Sequence, residues 1–120
     1  MERRSQKYHR GRLSEALREE IETILEGELG DPRIGLVSVG GVHLADDARS
    51  ARVLVEVQGD DAEAGRTLQG LEAAKNFIRH ELAKRLRLRR PPELFFQLDR
   101  AQQLESRVEE LLERAKRRRK

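Results

Sequence analysis

Cysteine and tryptophan are absent from this 120-residue chain, and aromatic residues make up only 3% of it. Without cysteine there is no disulfide and no thiolate metal site, a composition that suits a reducing compartment. One tyrosine and three phenylalanines leave little with which to stack unpaired bases. Phe77, Phe95 and Phe96 lie in or beside apolar segments and are expected in the core. No stretch approaches the roughly 20 apolar residues of a transmembrane helix, and the opening MERRSQKYHRGR lacks the apolar centre of a signal peptide. The expectation is a soluble cytoplasmic protein with no membrane partner.

What the chain has in quantity is charge, 39% of residues against 37% hydrophobic, so one small core must carry a largely ionic surface. The net charge of +3 hides a strong asymmetry. Residues 1–12 carry net +4, residues 13–64 net −9, residues 65–100 net +5 and residues 101–120 net +3. Segregated positive charge implies an anionic partner for part of the molecule. Of the 25 bases 20 are arginine, whose planar fork can grip two phosphate oxygens at once where lysine acts as a point charge.

Hydrophobic spacing orders the elements. Leu13, Leu17, Ile21, Ile24, Leu25 and Leu29 share one face of a first helix, with Gly30 and Pro32 as its stop. Val37 and Val39 then follow one alternating phase and Val42 and Leu44 the other, which a bulge at Gly40–Gly41 would reconcile. Asp46 and Asp47 suit a turn, and Ala51, Val53, Val55 and Val57 form a half-buried strand, too close to the first for anything but a hairpin. Leu68, Leu71, Ala74, Ile78, Leu82 and Leu86 mark a second helix. Its period fails after Leu86, because a helix continued to Arg89 would turn that guanidinium onto the apolar face; chain direction must change near Arg87. Leu94, Phe96 and Leu98 make a third strand, and Ala101, Leu104, Val108, Leu111, Leu112 and Ala115 one face of a last helix whose KRRRK end is expected to fray. The fold class is α+β, a three-stranded sheet with helices packed on one face.

Catalytic signatures fail on inspection. HELAK begins with His80 and Glu81, but Lys84 stands where a second zinc ligand would be needed. The pairs Asp46–Asp47 and Asp60–Asp61 sit where carboxylates cap turns. No loop cradles a nucleotide phosphate, nothing activates a nucleophile, and no catalytic residue, metal or cofactor is expected. Gly27 and Gly30 have the GxxG spacing of a nucleic-acid clamp, but Glu28 between them would repel phosphate, and helix capping explains them better. The densest feature is KRLRLRRPPELFF, where Lys84, Arg85, Arg87, Arg89 and Arg90 fall within seven residues. One or two bases at a helix C-terminus need no ligand, since the macrodipole favours each by about 0.3–1 kcal/mol. Five that repel one another point to a polyanion.

DPRIG at 31–35, GVHLADDARSARVLVEV at 41–57 and AAKNFIRHELAKRLRLRRPPELFF at 73–96, in that order and spacing, resemble the bacterial ribosome-binding factor A family over roughly residues 5–112. The resemblance implies a type II KH-like domain, α-β-β-α-kink-α-β, without the GxxG loop. The family's break carries Ala-x-Gly; Ala74, Lys75 and Asn76 match it here, with asparagine replacing the glycine. It further implies a non-catalytic assembly factor that binds the immature small ribosomal subunit and its RNA, serves late maturation and processing of that RNA and cold adaptation, and meets a maturation GTPase. On this reading residues 1–12 are a basic segment leading into helix 1, 13–99 the KH-like RNA-binding domain, and 100–120 a C-terminal helix and basic tail of a monomer. RNA contacts are expected from Lys75, Asn76, Arg79, Lys84, Arg85, Arg87, Arg89 and Arg90, with Arg10 and Arg12, gripping folded RNA by its backbone. The alternative is a protein-interaction adaptor using the acidic first helix, Glu15 to Glu28.

Overall fold

The three-to-four spacing of apolar residues and the two-residue alternation between them become, in the computed structural model, three helices and three strands. The elements are α1 (Glu2–Gly27), β1 (Val37–Leu44), β2 (Ser50–Val57), α2 (Asp61–Arg85), β3 (Glu93–Leu98) and α3 (Arg100–Arg118). The structure describes residues 2–27, 34 and 36–118, with side chains for 10–27, 34, 36–99 and 108–118. Gly30, Pro32, Arg33 and most of DPRIG lie outside the described residues.

β2 is the central strand, antiparallel to β1 and parallel to β3. A parallel neighbour requires a long crossover, and α2 supplies it. The expected bulge is present: Val39 pairs with Val55 and Gly41 with Leu54, leaving Gly40 as the extra residue. This slip lets Val39 and Val42 face the same side, and both are buried. Asp47 shapes the hairpin turn, its carboxylate accepting from the Arg49 backbone N–H at 3.0 Å.

One face of the sheet is covered by α1 and α2. Leu17, Ile21 and Ile24 of α1, Leu71, Ile78 and Leu82 of α2, Val53 and Val55 of β2 and Leu94 of β3 are fully buried together. At about 1.5–3 kcal/mol per large side chain, this cluster is the main stabilising force. The α+β architecture is the one the sequence pattern implied.

Three features differ from the sequence reading. α1 begins at Glu2, so the basic opening is the first turns of the helix rather than a leader to it. α2 is continuous from Asp61 to Arg85, with no break at Ala74, Lys75 and Asn76. Asn76 is not among the non-glycine residues with positive φ. With asparagine in place of glycine, and with Leu71, Ala74 and Ile78 keeping one phase, nothing local outweighs helical hydrogen bonding. The third difference is α3, which holds its helix through Arg118 yet turns its apolar side outward, Val108, Leu111 and Leu112 being 48–62% exposed.

Leu82 anchors α2 just before the basic stretch. Leu82→Ala should lower unfolding free energy by about 2–5 kcal/mol, whereas Arg89→Ala should change it by less than about 0.5 kcal/mol; urea titration followed by circular dichroism distinguishes the two.

Candidate nucleic-acid interface

α2 carries its charges in the order its dipole favours. Asp60 caps the N-terminus, its carboxylate accepting from the Glu63 N–H at 2.8 Å, with Asp61 and Glu63 in the first turn. Lys84 and Arg85 occupy the last turn. The helix then stops abruptly. Leu86 is the C-cap, and the Leu88 N–H reaches back to the Ala83 carbonyl at 3.0 Å, while Arg87 takes a left-handed φ of 54°. This is the Schellman arrangement, in which glycine is the usual left-handed residue. Arginine in its place stores strain of about 1 kcal/mol. The direction change foreseen near Arg87 is therefore sharp and falls on Arg87 itself.

The chain next passes through Pro91 and Pro92 into β3. The Glu93 N–H donates to the Arg49 carbonyl at 2.8 Å, which seats the start of β3 against the β1–β2 turn. Arg10 of α1 pairs with Asp46 in the same turn. The hairpin turn thus receives α1 through Arg10 and the start of β3 through Glu93.

The ten bases and polar residues expected to touch RNA do not form one set. Arg79 donates from Nε to the Pro92 carbonyl and from Nη2 to the Pro91 carbonyl, both at 3.1 Å. It braces the loop after the helix. Arg85 joins the two helices, its Nη1 3.3 Å from Glu20 Oε2 and its Nε 3.7 Å from Glu81 Oε2. Lys75 lies 3.1 Å from Glu72 and 3.9 Å from Glu93. Arg10 is tied to Asp46, Arg12 also has a partner, and Asn76 is exposed on α2. Lys84, Arg87, Arg89 and Arg90 remain, all exposed and, among the described residues, without a hydrogen-bond or ion-pair partner.

These four cations sit on a rigid stop between a helix and a strand. Two unit charges 8–10 Å apart in water repel by only about 0.5 kcal/mol, further screened by physiological salt. A phosphate backbone laid along them removes that repulsion and releases condensed counterions. Spacing alone did not separate the free bases from the bound ones, because Arg79 and Arg85 are engaged by residues 12 and 65 positions away.

The core expectation for the phenylalanines holds only for Phe96, which packs against the core. Phe77 and Phe95 are 43% and 45% exposed. For Phe95 strand alternation gives the reason: Leu94 and Phe96 face the helices, so Phe95 faces away. Across the first helix some of the acidic residues are paired within the fold. Arg18 lies 2.7 Å from Glu15 and 3.3 Å from Glu22, contacts that raise its guanidinium's pKa further, and Glu20 holds Arg85. Glu19 and Glu26 stay exposed on that helix.

Arg79 and Arg87 separate bracing from binding. Arg79→Ala should cost about 1.5–3 kcal/mol of stability by stranding the proline carbonyls, visible as a lower melting temperature. Arg87→Gly should do the reverse, raising stability by about 1 kcal/mol, or roughly 4–8 °C in a domain of this size, while removing one phosphate contact from RNA binding measured by filter retention.

Comparison with known proteins places this geometry. A family model described as ribosome-binding factor A matches residues 9–112. The ribosome-binding factor A of Koribacter versatilis is 58% identical over 120 residues, covering 100% of this chain and 98% of that protein. The one from Desulfitobacterium hafniense is 45% identical over 93 residues, 78% of this chain and 74% of its own length. The crystal structure of ribosome-binding factor A from Thermus thermophilus superposes with a TM-score of 0.68 at 30% identity, covering 77% of this chain and 97% of that one. A homology model of the Thermus thermophilus protein fitted into a cryo-electron-microscopy map of its 30S complex gives 0.56 at 36% identity, over 77% and 92% of the two chains. Matching in sequence over nearly its whole length and in the arrangement of its strands and helices, the chain belongs to the ribosome-binding factor A family.

Proposed function

We propose that this protein is a ribosome assembly factor that binds the immature small ribosomal subunit through its RNA and serves late maturation and processing of that RNA. The observation that carries the reading is the set of four cations without a partner among the described residues, Lys84, Arg87, Arg89 and Arg90, held on the stop between α2 and β3. The Thermus thermophilus relative fitted into a 30S complex supports the choice of polyanion. Affinity comes from phosphate contacts, and the braced loop fixes the spacing of the bases before RNA arrives. The protein acts by occupancy rather than by chemistry. It works in the cytoplasm as a monomer, the KH-like domain of residues 13–99 making the main contact, and a maturation GTPase drives its release.

The adaptor alternative is weaker because Glu15, Glu20 and Glu22 already have arginine partners. Fewer acidic side chains are free on α1 than the sequence count suggests.

Binding to purified immature small subunits should weaken steeply with salt, with a log–log slope of about 3 for four neutralised phosphates. Reversing Arg87, Arg89 and Arg90 to glutamate should abolish cosedimentation with those particles while leaving the melting temperature within a few degrees of the parent. A salt-independent association, or a collapse of the fold in the triple variant, would show that the cluster serves structure instead.

A further inference from the structure

The sheet face opposite the helices holds a feature that the basic cluster does not explain. Strand register sets His43 beside Arg52 and Arg52 beside Phe95, one row across all three strands. All three are exposed, and among the described residues neither His43 nor Arg52 has a hydrogen-bond or ion-pair partner. From the outer edge Lys75 reaches round β3 and sets its Nζ 5.7 Å from the centre of the Phe95 ring. The ring therefore has the Lys75 ammonium over one face, lies next to Arg52 in the sheet, and remains 45% exposed.

We propose that this row is a stacking site for one unpaired RNA base, seated on Phe95, with its phosphate held by the free Arg52 guanidinium and His43 flanking it. The proposal rests on the reading that RNA is the partner and adds a second kind of contact to it. Charge and surroundings both select this occupant. Arg52 can accept a phosphate without giving up an existing carboxylate, whereas the nearest acid on this face, Glu93, is drawn toward Lys75. The rows on either side are Ser50 with Glu93, and Gly41 with Leu54 and Gln97. Of these neighbours only Leu54 is a large apolar residue, so the ring is set in a mostly polar surface, which suits a base better than a protein-docking patch.

The site is also continuous with the basic cluster. Phe95 lies two residues along β3 from Glu93, about 7 Å, and Glu93 is hydrogen-bonded to Arg49 at the end of the fold where Arg89 and Arg90 emerge. A strand leaving the cluster reaches Phe95 within a short step. Stacking is tolerant of sequence because every base has a π-face, so the site grips an unpaired segment without reading it.

The test uses the full chain, a short fluorescent oligoadenylate and a blunt RNA duplex. Phe95→Leu keeps the apolar bulk but removes the π-face, and should weaken oligoadenylate binding by about 5- to 150-fold, the span of one base–aromatic stack, while duplex binding stays unchanged. Phe95→Trp should retain affinity and lose indole emission when oligoadenylate is added. Melting curves check that both variants are folded. Parent-like oligoadenylate binding by Phe95→Leu, or equal weakening toward the duplex, overturns the proposal; so does a concentration-dependent dimer that Phe95→Leu abolishes, which would give the face to a second copy. If oligoadenylate binding ignores Phe95 while particle binding keeps its salt dependence, the stacking site falls and the assembly-factor reading stands. If particle binding is itself indifferent to salt, both fall.

Discussion

The hydrogen bond from the Leu88 N–H to the Ala83 carbonyl governs more of this molecule than its size suggests. It ends α2 in one residue, turning Arg87 left-handed, and so decides where the chain goes next. Had the helix run one turn further, Arg89 would lie against Leu82 and Leu86, an uncompensated charge in an apolar layer. By stopping where it does, the helix leaves Leu82 in the core and Lys84, Arg87, Arg89 and Arg90 in solvent. The same stop brings the two prolines under Arg79, and their fixed backbone feeds β3 into the sheet parallel to β2. Helix termination, sheet closure and the exposure of the bases are one event.

That coupling explains why like charges are concentrated there. Arginines near the end of α2 serve two different physical ends. Arg79 and Arg85 satisfy carbonyls and carboxylates of the fold itself, and their guanidinium forks suit that work because each can address two acceptors. The others, Lys84, Arg87, Arg89 and Arg90, have no hydrogen-bond or ion-pair partner among the described residues. A set of braces beside a set of unpaired cations makes a rigid electrostatic surface, and rigidity matters because phosphates along a backbone are regularly spaced. Cations on flexible side chains over a mobile loop would lose more conformational freedom on binding.

Much of this was legible in sequence, and the failures have identifiable causes. The element order, the Gly40 bulge and the break at Arg87 follow from periodicity, which is a local property with a clear physical basis. The caps at Asp60 and Asp47 follow from short-range side-chain chemistry. Which arginines are free was not legible, since Arg85 finds Glu20 across 65 residues and only the packed helices bring them together. Phe95 was misjudged for a different reason. Its two neighbours are apolar, so the run LFF reads as buried on both sides, yet helices cover only one face of the sheet and alternation leaves the middle residue outside. The continuity of α2 through Asn76 contradicts the family pattern while agreeing with this chain's own phase, a case where local sequence outweighs resemblance.

Three kinds of position at the end of α2 and the start of β3 break local rules. A left-handed arginine, an array of unpaired cations and a half-exposed phenylalanine each leave stabilisation unrealised, the first by about 1 kcal/mol of backbone strain and the last by part of the 1.5–3 kcal/mol that full burial of such a ring supplies. Other departures lie elsewhere, at the left-handed Ala48 of the hairpin turn and on the outward apolar side of α3, while valines alternate into the core and acids lie at the N-terminus of α2. A domain whose total stability is of order 5–15 kcal/mol can carry such defects only where the rest over-determines the structure, and the fully buried cluster of Leu17, Ile21, Leu71, Ile78, Leu82 and Leu94 does so. Those at the end of α2 and the start of β3 are what an interface for an external polyanion would produce, because a bound RNA strand would supply the contacts that the isolated protein leaves unmade.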